Sequence, residues 1–219
     1  MRRFQIRQCL DDACRFRHPW TEHDPPALRC PRCGKPVQLV VEQELSREAS
    51  PSPSKKPGSG INLSALVDNV RSAFNVGSIF RCADGAGVAH LYLCGVSPTP
   101  VHPKVAKTAL GAEQSVGWSY HPNAVDVAKQ LKAEGRQLWA LEDGTAAESV
   151  LAVALPPANS SLVLVTGNEI TGVDPGVLAV CDRTVAIPMF GVKQSLNVAI
   201  AFGIAAYCVA LSPHLRQLS

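Results

Sequence analysis

From residue 61 onward the chain alternates short, almost unbroken apolar runs with stretches whose apolar residues recur every three or four positions. The runs at 61–68 (INLSALVD), 90–96 (HLYLCGV), 137–142 (QLWALE), 161–167 (SLVLVTG) and 183–189 (RTVAIPM) have the length and β-branched content of strands. Between them, residues 69–86 set Val70, Ala73, Phe74, Gly77, Ile79 and Phe80 at helical spacing. Residues 104–112 read as a short helix, and 123–133 as an amphipathic one through Val125, Val127, Ala128 and Leu131. The last element, from Ser195 to about Leu211, is apolar on nearly all sides, which places it inside the domain or at a subunit interface. Alternating strands and helices, with strands as continuously apolar as LVLV, predict an α/β domain on a parallel sheet covered on both faces.

The first 60 residues lack this rhythm. Residues 46–60, SREASPSPSKKPGSG, hold no large apolar side chain and read as a flexible linker. They divide the chain into a small module, 1–45, and a body, 61–219. A segment of that first size cannot build a sufficient core without a staple, and cysteines supply one. Cys9 and Cys14 form one close pair, and Cys30 and Cys33 a second, with 15 residues between the pairs. Four thiolates so placed can converge on one tetrahedral zinc ion. Gly34, after the second pair, frees the backbone to turn around the sulfurs. His18 and His23 are possible substitutes for a thiolate, but the paired cysteines are the simpler set. Cys82, Cys94, Cys181 and Cys208 sit singly in apolar segments and read as small buried hydrophobes.

Composition narrows the class. The 219 residues are 46% hydrophobic and 18% charged, as in an ordinary globular protein. No run is apolar enough to span a bilayer, and the charged opening MRRFQIRQ is not a signal peptide. The expected location is therefore the cytoplasm, where disulfides are disfavoured. Charge is uneven: residues 1–60 carry 11 Lys and Arg against 7 Asp and Glu, and the remainder 10 against 11. Arg15, Arg17, Arg29, Arg32 and Lys35 lie near the cysteines, with Phe16 and Trp20 nearby. Basic groups beside aromatics suit phosphate contact and base stacking, so the module is expected to bind RNA, with protein docking or a purely structural role as alternatives.

Three segments of the body carry candidate chemistry: NVGSIFRCADGAG (75–87), LVTGNEITGV (164–173) and IPMFGVKQSLNVAIAFGIA (187–205). In the first, Asn75 and Arg81 are six positions apart, about 600° around a helix, so they share a face only if the helix starts late or is irregular. Asp84 to Gly87 reads as a helix C-cap and turn rather than a nucleotide loop. In the second, an apolar strand ends in Gly167, Asn168 and Glu169. Polar groups at the carboxyl end of a parallel strand are where open α/β sheets bind ligands. In the third, Ser195 is expected to cap the last helix, with Asn197 in its first turn.

Taken together, NxGxxxR, GNExxG and IPMxGxxxSLNV resemble the SpoU/TrmH branch of the SPOUT superfamily of RNA methyltransferases, over about residues 61–212. HPKVAKTALGAE (102–113) also looks like a segment of some members; the zinc ribbon lies outside the resemblance. The resemblance implies a C-terminal trefoil knot, one of the few exceptions to the rule against knotted chains, and a homodimer whose site uses both subunits. It implies S-adenosylmethionine bound in the knot, near Thr166, Gly167, Ile187, Met189, Ser195 and Leu196. Asn75 and Arg81 would reach the target ribose of a transfer or ribosomal RNA, and Glu169, Ser195 and Asn197 would complete the site.

The implied reaction moves a methyl group from a sulfonium to a ribose 2′-oxygen, which must lose a proton. Arg81 is either the general base or the group that fixes the neighbouring phosphate. Neutralising an arginine at pH 7 costs roughly 7 kcal/mol, which weighs on the first role. Two other classes compete. A Rossmann-type oxidoreductase needs a Gly-rich turn after the first strand, where this chain has DNVRSAFN. A non-catalytic RNA-binding protein would have lost site residues, yet Asn75, Arg81, Glu169, Ser195 and Asn197 all stand.

Overall fold

The computed structural model describes residues 2–21, 28–45, 59–144, 146–193 and 195–215. His23 and most of the expected linker, 46–58, lie outside them. The chain divides into two compact units, Met1–Ser54 and Lys55–Ser219.

The first unit is a three-stranded antiparallel sheet: β1 (Arg2–Cys9), β2 (Arg17–Thr21) and β3 (Val37–Leu45), in the order β2-β1-β3. Its strands were not expected from the sequence. In β1 Phe4 and Ile6 merely alternate with Gln5 and Arg7, and the short apolar run Leu39 to Val41 of β3 passes at once into Glu42, Gln43 and Glu44. Among its described residues only Cys9 and Cys30 are buried.

The second unit is the expected α/β domain. Its strands are β4 (Asn62–Asp68), β5 (His90–Cys94), β6 (Gly117–His121), β7 (Gln137–Leu141), β8 (Glu148–Ser149), β9 (Ser161–Thr166) and β10 (Arg183–Ala186). They form one seven-stranded sheet, order β6-β5-β4-β9-β7-β10-β8, and every pairing is parallel. Its helices are α1 (Ala73–Ala86), α2 (Pro103–Ala109), α3 (Ala112–Ser115), α4 (Ala124–Ala133), α5 (Pro175–Leu178) and α6 (Val198–Leu215). Both faces are covered. Leu63, Ala65, Val67, Leu162 and Leu164 pack with Ile79 and Phe80 of α1 and Phe202 of α6. Leu66, Val163 and Val165 pack with Val127, Ala128 and Leu131 of α4. This double burial is why β4 and β9 read as unbroken apolar runs.

Element ends differ from the sequence reading in ways the local chemistry explains. Helix α1 starts at Ala73 rather than Asn69, because Asn69 takes a left-handed φ of 54° and Ser72 caps the helix, its hydroxyl accepting from the Asn75 amide. Gly87, with φ 71°, closes α1 as the expected left-handed C-cap. Strand β10 stops at Ala186, before Pro188, which has no amide to continue a ladder. Ser195 does not cap α6. Asn197 does, its Oδ1 accepting from Ala199 N at 3.0 Å and Ile200 N at 3.4 Å. Edge strand β6 was not expected, because its positions are half-buried and of mixed polarity. Helix α6 buries Phe202, Ala205, Ala206 and Val209 but leaves Ile200, Ile204, Tyr207 and Leu211 between 37% and 55% exposed, a stripe on one side.

Candidate functional site

The sheet order reverses direction around β4 and β9, and the carboxyl ends of β7, β9 and β10 open there onto a cavity of about 320 Å³. That is where open parallel sheets take ligands, and the size suits a small molecule. Thr166, Gly167, Glu169, Ile187, Met189, Ser195, Leu196 and Asn197, all singled out by sequence, line it. Glu142 and Asp143, after β7, line it too and were missed. Among the described residues, no Lys, Arg or His lines it.

The loop after β9 is held on both sides. Asn168 and Gly172 exchange backbone hydrogen bonds of 2.9 and 3.0 Å. The Asn168 Oδ1 accepts from Ile170 N at 2.9 Å, and its Nδ2 donates to Asn69 O at 2.8 Å. Glu142 Oε2 accepts from Val173 N at 2.8 Å. Gly167 has no room for a side chain: a Cβ there would collide with the backbone of Gly172 and Val173.

Glu169 ties this loop to α1. Its carboxylate accepts from Arg71 N at 3.0 Å, Ser72 N at 3.1 Å and Asn75 Nδ2 at 2.8 Å. Asn75 Oδ1 in turn accepts from Asn197 Nδ2 at 3.0 Å, so three segments far apart in sequence meet in one polar chain. A carboxylate at the start of a helix also faces the positive end of its dipole. Burial raises the Glu169 pKa, but the donated amides and the Asn75 side chain outweigh it and hold the group below its ordinary 4.5. The stabilisation is therefore complete above the unfolded-state value and lost as pH falls through the lowered one. Protection factors of amides in the first turn of α1, taken against the intrinsic exchange rate at each pH, are expected to fall on acidification below pH 4.5 in the native protein, and to lose that dependence in Glu169→Gln; identical pH profiles for the two proteins would contradict this.

Arg81 is not part of this assembly. It is exposed on the third turn of α1 and lines a separate depression with Asp84, Gly111 and Ser115. Because α1 is already regular at Asn75, the six-residue spacing turns the two side chains to different faces. One chain thus brings together Asn75, Glu169, Asn197 and the expected cofactor residues, but not Arg81.

In the first unit, the Sγ atoms of Cys9, Cys14, Cys30 and Cys33 all lie within 4.8 Å of one another. Cys9 and Cys33 are 3.5 Å apart and Cys14 and Cys30 3.9 Å. Tetrahedral thiolates at the usual zinc distance would be about 3.8 Å apart, so the cluster fits a metal ion with little movement. Gly34, φ 73°, donates its amide to Cys30 O at 2.9 Å and makes the expected turn. His18 is not among the clustered groups; its ring stacks on Phe16 with centroids 5.9 Å apart. The Arg7 guanidinium lies over the Trp20 ring, 4.6 Å from its centroid.

Residues 62–207 match the SpoU rRNA Methylase family. The chain is 32% identical over 171 residues to the tRNA (guanosine(18)-2′-O)-methyltransferase of Aquifex aeolicus, covering 77% of this chain and 76% of that protein. It is 30% identical over 177 residues to the 23S rRNA (guanosine-2′-O-)-methyltransferase of Vibrio vulnificus, covering 79% of this chain and 66% of the other, so it spans just under two thirds of that relative. Among solved structures, the SpoU methyltransferase AviRb of Streptomyces viridochromogenes, in complex with the cofactor AdoMet, superposes with a TM-score of 0.63 at 26% identity, covering 84% of this chain and 71% of that one.

Proposed function

Because this chain belongs to the SpoU rRNA Methylase family, we propose that it transfers a methyl group from S-adenosylmethionine to a ribose 2′-hydroxyl of transfer or ribosomal RNA. The observation that carries this reading is the cavity itself, where Thr166, Gly167, Ile187, Met189 and Leu196 meet Glu169, Ser195 and Asn197. A Rossmann-type oxidoreductase is disfavoured, since the turn after β4 has no glycine and the cavity lies beyond β7, β9 and β10.

When bound, the donor supplies an activated methyl group on a positively charged sulfur. The protein's part is to hold and align. Backbone around Thr166 and Gly167, with Ile187, Met189 and Leu196, grips the adenosine portion. Glu142, Asp143 and Glu169 make the cavity anionic, which favours a cationic donor over its neutral demethylated product. Asn75 and Asn197 fix the site's polar edge. Arg81 either takes the 2′-hydroxyl proton or fixes the adjacent phosphate. Its place outside the single-chain cavity fits a homodimer that draws on both subunits, and the exposed stripe on α6 is the surface we assign to that contact. The trefoil knot belongs to the same proposal, formed by the loops that frame the cavity. Cys9, Cys14, Cys30 and Cys33 hold a structural zinc ion, and the ribbon binds RNA. We place the protein in the cytoplasm, where zinc-bound thiolates and unpaired cysteines such as Cys82, Cys94, Cys181 and Cys208 persist. No helix among the described residues is long and apolar enough to cross a membrane.

Calorimetric titration with S-adenosylmethionine tests the reading. One donor per chain is expected to bind the native protein, and Gly167→Ala is expected to abolish the heat while α4 and the first unit keep their exchange protection. No binding to the native protein would overturn the assignment.

A further inference from the structure

The positive groups near the four cysteines separate, in the structure, into those that are neutralised and those that are not. Lys35 is 3.0 Å from Asp11 and forms an ion pair. Arg7 stacks on Trp20 and donates to Gln5, whose amide donates to Glu42, so this guanidinium already has partners within the sheet. Arg15, Arg17 and Arg32 are exposed, and their side chains make no hydrogen bond or ion pair among the described residues. The Arg29 side chain, also exposed, donates among the described residues only to the carbonyl of Gly34, at 3.2 Å. Each of the four stands within three residues of a cysteine whose sulfur belongs to the 4.8 Å cluster, so they start from backbone that converges on one end of the sheet.

We infer that this end of the N-terminal unit docks the phosphate backbone of RNA, through Arg15, Arg17, Arg29 and Arg32; the inference rests on the proposal that RNA is the substrate. Four thiolates around zinc carry a net negative charge that would offset part of this excess. Two of those thiolates, Cys9 and Cys30, are only 2% and 3% exposed. The guanidiniums stand in solvent outside them. At a screening length of about 8 Å, an approaching polyanion meets the outer charges first. Guanidinium matches phosphate oxygens in a bidentate fork. Contacts of this kind position a nucleic acid without reading its sequence. The ribbon therefore sets affinity and orientation, and the cation–π pair of Arg7 and Trp20, already engaged within the sheet, is a secondary feature.

The test uses the full-length, zinc-loaded protein and two probes, bulk transfer RNA and a 30-nucleotide RNA hairpin of unrelated sequence, titrated over a range of salt concentrations. Each phosphate contact contributes about 0.7 to 0.9 to the slope of log affinity against log salt. Arg15→Ala and Arg32→Ala are each expected to lower the slope by about that amount, and the double variant by about twice it, equally for both RNAs. Zinc content and the dissociation constant for S-adenosylmethionine should not change. An unchanged slope in the double variant overturns the inference. So does a loss of zinc affinity with the slope intact, which would mean the arginines serve only to balance the metal site. Donor binding that fails in the native protein would instead strike at the methyltransferase reading, so the two failures are distinguishable.

Discussion

Removing the zinc ion proposed for the N-terminal unit is expected to unfold that unit outright while the α/β domain stays folded. The unit has almost no other core. Among its described residues the buried side chains are Cys9 and Cys30 alone, and Leu39 and Val40 are 52% and 39% exposed. Structural zinc bound to peptides of this size contributes about 10–16 kcal/mol of apparent binding energy at pH 7, which is also their folding energy. Nothing in a three-stranded sheet whose described residues bury no large apolar side chain can replace that. Hydrogen exchange by mass spectrometry, before and after chelation, should show protection lost across β1, β2 and β3 and retained across β4 and β9. Cys30→Ser should give the same pattern without chelator. Protection that survives removal of the metal would show that the sulfur cluster is not the staple.

Arg81→Ala is expected to lower methyl transfer by about 10²–10⁴-fold, the range for loss of a general acid or base. The affinity for S-adenosylmethionine should be unchanged, because Arg81 does not line the cavity that would hold it. Arg81→Lys should also fail, since a point charge does not reproduce the planar fork of a guanidinium. Single-turnover rates at saturating donor, with zinc content and oligomeric state checked for each variant, separate this outcome from misfolding. Native turnover in Arg81→Ala would remove the residue from the mechanism.

Much of the body could be read before folding it, for physical reasons that also mark where reading stopped. Strands β4, β7 and β9 are buried on both faces, so their apolar runs are unbroken and legible. Strand β6 sits at the sheet edge and helix α5 is four residues long, so neither imposes a pattern. The sheet of the first unit was invisible because its described residues bury almost no apolar side chain, so its strands impose no apolar periodicity. At the start of α6, Ser195 and Asn197 are both good capping types, and the sequence does not say which one the backbone will choose. In the site, the resemblance located the lining residues that spacing alone could not. Glu142 escaped because its role is a hydrogen bond to Val173, 31 positions away. The separation of Asn75 from Arg81 follows directly from the 100° helical step, once α1 is known to begin at Ala73.

The central claim is that this protein methylates the ribose 2′-oxygen of RNA. Its most direct test is to incubate the purified protein with methyl-labelled S-adenosylmethionine and RNA from cells lacking the gene, then digest the RNA to nucleosides and identify the labelled product by mass spectrometry. A single 2′-O-methylnucleoside, absent when Arg81→Ala replaces the native protein, is the predicted result. Label confined to a nucleobase, or no transfer by a protein that binds the donor, would contradict it.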